Sequence, residues 1–273
     1  MASCNHNCDS CKEKCEKKDF IIHTNQYSNI KKVIGIVSGK GGVGKSLVTS
    51  MLAVSSAKLG YKTAILDGDI LGPSIPKIFG VKQKAYGDKS GKYICPANTL
   101  LDIDIISSSM LLENDDDPII WRGSMVSNMV KQFYSDVVYN TQDILFIDMP
   151  PGTGDVPLTI FQSIPLDGIV IVTSPQDLVS MIVEKAVKMA NMMNIDILGI
   201  VENYSYITCP DCQKQIKVFG ESNIEEKAKQ HNIKHVISLP IDPNIASLCD
   251  KGEIERLDIN YFDNLIKDVF NEK

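Results

Sequence analysis

The run VIGIVSGKGGVGKS, residues 33 to 46, constrains this chain more than any other stretch. Val33 to Val37 reads as a short buried strand, a glycine-rich turn follows, and a helical pattern then runs from Leu47 to Leu59. Gly39, Gly44, Lys45 and Ser46 fit GxxxxGK[ST], a loop whose backbone N–H groups wrap phosphate oxygens at the start of the next helix. The spacing gives Lys45 the β and γ phosphates and the Ser46 hydroxyl a Mg²⁺ ion.

The rest of the chain supplies the sheet that such a loop needs. Lys62 to Leu66 is a second strand, with Asp67 and Asp69 at its carboxyl end, where α/β sheets bind ligands. Carboxylates beside a phosphate loop are tolerable only with a cation or a reacting water between, so Asp69 is read as a Mg²⁺ and water handler. Residues 81–99 suggest a surface hairpin and 101–107 a strand, while a helix from about Ser124 carries Met125, Met129 and Phe133 at intervals of four. Ile144 to Ile147 is a continuous apolar run closing on Asp148, a carboxylate placed to act on the Mg²⁺ shell. The stiff turn after it can set the Gly152 N–H against a γ-phosphate. Strand 168–173, an amphipathic helix from Val179 to Met193, strand 195–201, a helix near 221–231, strand 235–239 and a C-terminal helix bearing Phe262, Leu265, Ile266, Val269 and Phe270 complete the pattern. Strands alternating with helices predict one doubly wound, mainly parallel α/β sheet with helices on both faces.

Charge and cysteine usage narrow the function. With 34 acidic and 28 basic residues the formal charge is −6, which argues against a broad nucleic-acid footprint. Neither a membrane span nor a secretory leader is legible, so the expectation is a reducing, cytoplasmic setting. There the 8 cysteines read as metal ligands before disulfides. Cys4, Cys8, Cys11 and Cys15 form CxxxCxxCxxxC in a polar N-terminal arm, residues 1–28, ahead of a domain spanning 29–273. Four thiolates so close can wrap one [4Fe-4S] cluster or one zinc ion. Cys209 and Cys212 form CPDC, a turn that presents both sulfurs to one metal. Two thiolates are half a site, and a two-fold dimer would supply the other half.

KGGVGKS (40–46), with its extra Lys40, resembles the deviant Walker A ATPases of the MinD/ParA group. DGDILGPSIPKIFG (67–80), WRG (121–123), DMPPGTGD (148–155) and VENYS followed by CPDC (201–212) resemble, more narrowly, the Mrp/ApbC/Nbp family of iron-sulfur cluster carrier ATPases. The resemblance implies a P-loop NTPase fold and an ATP cradle made of Gly39, Lys40, Gly41, Gly42, Val43, Gly44, Lys45, Ser46 and Leu47. It implies a homodimer in which Lys40 crosses to the partner's nucleotide, and a γ-phosphate sensor at Asp148 and Gly152. Asn203 would face the adenine with Pro240 and Asp242 nearby, and Cys209 and Cys212 would hold a [4Fe-4S] cluster between subunits for delivery to apo-proteins. The sequence departs from the family at Ser124, where proline is usual, and at Tyr204, where methionine is common.

A MinD/ParA-type positioning ATPase is the competing reading. It would want a basic amphipathic terminal helix, whereas the last helix here has mixed charge. A nucleotide-gated electron donor would need single cluster cysteines beside the nucleotide switch, and none follows DMPPGTGD until Cys209.

Overall fold

The computed structural model describes residues 21–112, 123–152, 154–175 and 179–271, with backbone alone at 179–182. Cys4, Cys8, Cys11, Cys15, the acidic run 113–117 and Trp121 of WRG lie outside the described residues. In chain order the elements are β1 (Asn29–Ser38), α1 (Lys45–Lys58), β2 (Thr63–Asp67), α2 (Ile75–Phe79), β3 (Tyr86–Gly87), β4 (Ile94–Cys95), β5 (Ala97–Asn98), β6 (Asp104–Ile106) and α3 (Gly123–Asp136). They continue with β7 (Thr141–Asp148), α4 (Asp155–Ser163), β8 (Gly168–Thr173), α5 (Val179–Met193), β9 (Ile197–Thr208), β10 (Gln215–Ile216), α6 (Ile224–Gln230), β11 (His235–Pro240), α7 (Pro243–Lys251) and α8 (Asp263–Asn271).

The central sheet runs β9-β8-β1-β7-β2-β6-β5, with β11 on the far side of β9. Its pairings are parallel except at β5, antiparallel to β6, and at β10, antiparallel to the end of β9. From β1 the chain winds one way to β2 and β6, and from β7 it winds the other way to β8, β9 and β11. The crevice where the direction reverses opens at the carboxyl ends of β1 and β7, where such sheets bind ligands.

Strand sequences that look uniformly apolar serve two cores by alternation. Val33, Leu145, Ile147 and Ile169 pack on one face with residues of α3, α4, α5 and α6. Ile34, Ile36, Phe146 and Val170 pack on the other with residues of α1, α7 and α8. Each such apolar side chain contributes about 1.5–3 kcal/mol by leaving water.

Helix α1 is buried almost all round, from Val48 through Ser56, because it lies under α2 and α8 as well as on the sheet. Two expectations are corrected by this packing. In α3 the buried face is Val126, Val130, Phe133 and Tyr134, and Met125 is exposed: the core stripe is rotated from the spacing-by-four series. Strand β9 does not stop at Val201 but continues to Thr208. Ahead of β1, the Ile22 N–H donates to the Ser163 carbonyl and Asn25 Nδ2 to the carbonyls of Ser135 and Val137. The hairpin appears as the antiparallel pair β3 and β4. No helix among the described residues is long and apolar enough to cross a membrane.

Candidate functional site

The loop between β1 and α1 turns through two left-handed glycines, Gly42 and Gly44, with φ of 80° and 79°. At Gly44 the requirement is also steric: a Cβ there would lie 2.2 Å from Asn203 Nδ2. The turn wraps a cavity of about 280 Å³ lined by Gly41, Gly42, Gly44, Lys45, Ser46 and Leu47 from the loop, and by Asp69, Ser74, Ile78 and Pro151 opposite. Gly39 and Lys40 form the half-buried entry to the loop, and Val43 is buried behind it.

Inside, one buried cation faces three carboxylates. Lys45 Nζ lies 2.7 Å from Asp148 Oδ1 and 3.9 Å from Asp69 Oδ2, with its side chain 6% exposed. The ammonium is paired by charge but has no well-oriented hydrogen-bond acceptor among the described residues, and neither has the buried Ser38 hydroxyl nearby. A buried donor left without an acceptor is costly, and phosphate oxygens in this cavity would supply one. Asp148 accepts from Ser46 Oγ at 2.6 Å and from Thr49 Oγ1 at 2.8 Å. A hydroxyl and carboxylates converging on one edge of the cavity are the oxygen donors Mg²⁺ prefers, so Ser46, Asp69 and Asp148 fit that ion.

Asp67 is wholly buried beside Asp148, its partner across β2 and β7. Burial holds its carboxyl up to about 8, with the Asp148 charge adding to the effect and Lys45 opposing it. Burial raises Asp69 as well, against the pull of Lys45. Asp67 accepts from Ser107 Oγ at 2.9 Å and from the Asp69 N–H at 3.3 Å, so it holds the strand end and the loop carrying Asp69 together.

The protonated Asp67 carries a pH prediction. Between the unfolded carboxylate value near 4 and about 8, the folded chain keeps a proton that the unfolded chain releases, so stability falls as pH rises through that window and levels off above it. Asp104, raised to about 6 mainly by burial, adds to the lower half of the window. Urea unfolding at several pH values between 5 and 8 is expected to show this slope, and Asp67→Asn to flatten its upper part. An unchanged slope in the variant would count against the assignment.

The remaining expected site residues divide. The Gly152 N–H, in a turn with φ of 92°, donates to the Ser38 carbonyl at 2.8 Å, so the turn is tied to the loop's entry. Asn203 is buried with its amide spent on backbone: Nδ2 donates to the Val43 carbonyl at 3.0 Å and Oδ1 accepts from the Tyr204 N–H. Pro240 ends β11, and Asp242 caps α7 by accepting from the Asn244 N–H at 2.8 Å; both stand at the sheet edge that carries the loop, outside the cavity lining. The residues that sequence reasoning missed are Thr49, Ser107 and Ser38. Thr49 had a signal, since it lies one turn after Lys45 on a helix that begins at the phosphate loop.

Cys209 and Cys212 lie just past the end of β9, in the turn between β9 and β10. The turn is closed by the Gln213 N–H on the Cys209 carbonyl at 2.9 Å and the Cys209 N–H on the Lys214 carbonyl at 3.0 Å. Backbone N–H groups of Cys212 and Asp211 donate toward the Cys209 sulfur and lower its pKa, which favours the thiolate that binds metal. Cys212 is exposed, and among the described residues no group of three or more His, Cys, Asp or Glu side chains is set to hold a metal ion. The pair is thus an open half-site, flanked by the exposed apolar side chains Ile207, Ile216, Val218 and Phe219.

The model of the NUBPL iron-transfer P-loop NTPase family matches residues 29–271. The chain belongs to that family. It is 46% identical over 235 residues to an iron-sulfur cluster carrier protein of Clostridium perfringens, covering 84% of this chain and 82% of the relative. It is 43% identical over 263 residues to one of Methanocaldococcus jannaschii, covering 92% and 90%. A nucleotide-binding protein of Archaeoglobus fulgidus, solved with ADP, is similar at a TM-score of 0.77 and 40% identity, covering 86% of this chain and 91% of that one. The cell division ATPase MinD of Pyrococcus furiosus aligns at a TM-score of 0.57 but 18% identity, a likeness of fold alone. These findings favour the carrier family over the positioning-ATPase reading.

Proposed function

We propose that the chain is a slow ATP hydrolase that carries a [4Fe-4S] cluster on Cys209 and Cys212 and hands it to apo iron-sulfur proteins. The observation that carries this reading is the open two-thiolate knuckle, with N–H groups aimed at its sulfur, on the strand that also backs the nucleotide loop. Relatives named as cluster carriers, and a similar protein solved with ADP, support it.

In this account the Gly39–Leu47 backbone cradles the phosphates and Lys45 exchanges its pairing with Asp148 for the β and γ oxygens. Magnesium, held by Ser46 with Asp69 and Asp148 around it, would neutralise charge on those phosphates. Asp69 orients the attacking water. The Gly152 N–H passes from the Ser38 carbonyl to the γ-phosphate, so its turn reports whether ATP or ADP is bound. Asn203 acts on the nucleotide through the loop it braces, with Pro240 and Asp242 on the adenine side. Only two arginines occur in the sequence, and Arg256 is engaged with Glu253, so low turnover is expected until a partner supplies further charge. Lys40 supplies such charge across a homodimer, which also completes the four-thiolate site and covers Phe219 and its apolar neighbours. The arm cysteines Cys4, Cys8, Cys11 and Cys15 form a second site for a cluster or zinc. A reducing cytoplasm suits free thiols of this kind.

The test is anaerobic loading with iron and sulfide, followed by transfer to an apo-ferredoxin with and without Mg·ATP. Nucleotide-dependent activation of the acceptor is expected. A loaded chain that never passes its cluster, or that binds zinc alone, would overturn the reading.

A further inference from the structure

Strand β9 is irregular at two places, against β8 at Leu198 and against β11 at 203–205, and the second touches the phosphate loop. Glu202 pairs with Ser238 of β11 and Tyr206 pairs with Pro240, so three residues of β9, 203–205, stand opposite Leu239 alone. Within this bulge Tyr204 has φ of 62°, a left-handed conformation costly for a side chain of its size. Two contacts hold it there: the Tyr204 N–H donates to Asn203 Oδ1 at 3.0 Å, and the Tyr204 hydroxyl lies against Gly44, 3.0 Å from where a Cβ would be. Bulges beside a site re-aim side chains, and this one turns Asn203 onto the Val43 carbonyl.

The residue before the bulge points to the cysteines. Glu202 is 3% exposed and accepts hydrogen bonds from Ser205 Oγ at 2.7 Å and from Ser222 Oγ. Ser222 closes the excursion that contains Cys209, Cys212 and β10. The knuckle is therefore tied to β9 twice, through the strand itself and through Ser222 on Glu202, while the neighbouring Asn203 is tied to the phosphate loop. From Asn203 to Cys209 is six residues, at most about 20 Å of chain.

We propose that the β9 bulge is a coupling element: filling the phosphate loop shifts Asn203 and Tyr204, and the shift passes through β9 and the Glu202–Ser222 contact to change the exposure of Cys209 and Cys212. This rests on the reading of the loop as the nucleotide site and of the cysteine pair as the cluster site. It adds a route within one subunit, independent of dimer closure. Coupling is reciprocal, so a ligand on the thiols alters nucleotide affinity by the same factor.

The test uses the full chain, reduced and metal-free, at a concentration where it sediments as a monomer. Iodoacetamide labelling of each cysteine is followed by peptide mass mapping, with and without saturating Mg·ATP, and nucleotide binding is measured separately. Labelling rates of Cys209 and Cys212 are expected to change at least about fivefold on binding, the lower end of coupling between linked sites. Cys95 and Cys249 are expected to keep their rates. Ser222→Ala, which touches neither the loop nor the cysteines, is expected to bind nucleotide normally and lose most of the rate change. Asn203→Ala, saturated according to its own measured affinity, is expected to lose it as well. Equal labelling rates in a chain that binds Mg·ATP would overturn the coupling and leave the nucleotide site standing. A full rate change in Ser222→Ala, or one that appears only as protein concentration rises, would also overturn it. Failure to bind nucleotide at all would remove the reading of the loop and the coupling with it.

Discussion

Lys45→Ala is expected to lower Mg·ATP affinity by about 100-fold or more, a loss of roughly 3 kcal/mol. The size follows from the side chain's position. Its ammonium is buried, has no well-oriented acceptor among the described residues, and pairs by charge with Asp148 and Asp69. Removing it deletes charge-assisted contacts worth about 1.5–3 kcal/mol each and leaves carboxylates facing the incoming phosphates without a cation. The empty variant should stay folded by retaining protons on Asp67 and Asp69, whose carboxyls Lys45 otherwise pulls down, and its stability should fall more steeply with pH than that of the unmodified chain. Thermal midpoints with and without Mg·ATP separate the cases: the unmodified chain gains stability by mass action and the variant does not. A variant that keeps its nucleotide-dependent shift would refute the assignment of Lys45.

Replacing both Cys209 and Cys212 with serine is expected to abolish cluster loading at the knuckle while leaving nucleotide affinity within about twofold of that of the metal-free unmodified chain. Serine keeps the turn, because its closing hydrogen bonds are backbone to backbone, between Gln213 and Cys209 and between Cys209 and Lys214. What it removes is the soft thiolate that iron-sulfur clusters require. The phosphate cavity contains neither cysteine, so binding there has no reason to fall. The experiment is best done with Cys4, Cys8, Cys11 and Cys15 also replaced, so that iron held by the arm does not mask the result. Iron retained in stoichiometric amount after all six replacements would place the cluster elsewhere.

Most of the α/β scaffold was legible because buried parallel strands announce themselves as short β-branched runs, and β1, β7 and β8 do so plainly. The glycine-rich turn between β1 and α1 was legible too, since its spacing encodes a backbone that is left-handed at Gly42 and Gly44. Helix α7 went unread although its signals were present: Asp242 as N-cap, Pro243 at the first turn and Gly252 just past the end. The rotation of the α3 face could not be read, because Met125 and Val126 are both apolar and only the neighbouring α4 decides which is covered. The β9 bulge left no local trace either. Tyr204 is an ordinary strand residue by propensity, and its left-handed backbone is imposed by Asn203 and the loop, contacts across about 160 residues of sequence.

The central claim is that two chains share one cluster through paired knuckles. Its most direct test is the iron and sulfide count, set beside the native mass of the assembly, for the anaerobically loaded chain carrying serine at positions 4, 8, 11 and 15. The account predicts a dimer with one [4Fe-4S] cluster, about two iron atoms per chain. A monomer carrying a complete four-iron cluster, or a dimer whose knuckles hold only zinc, would contradict it.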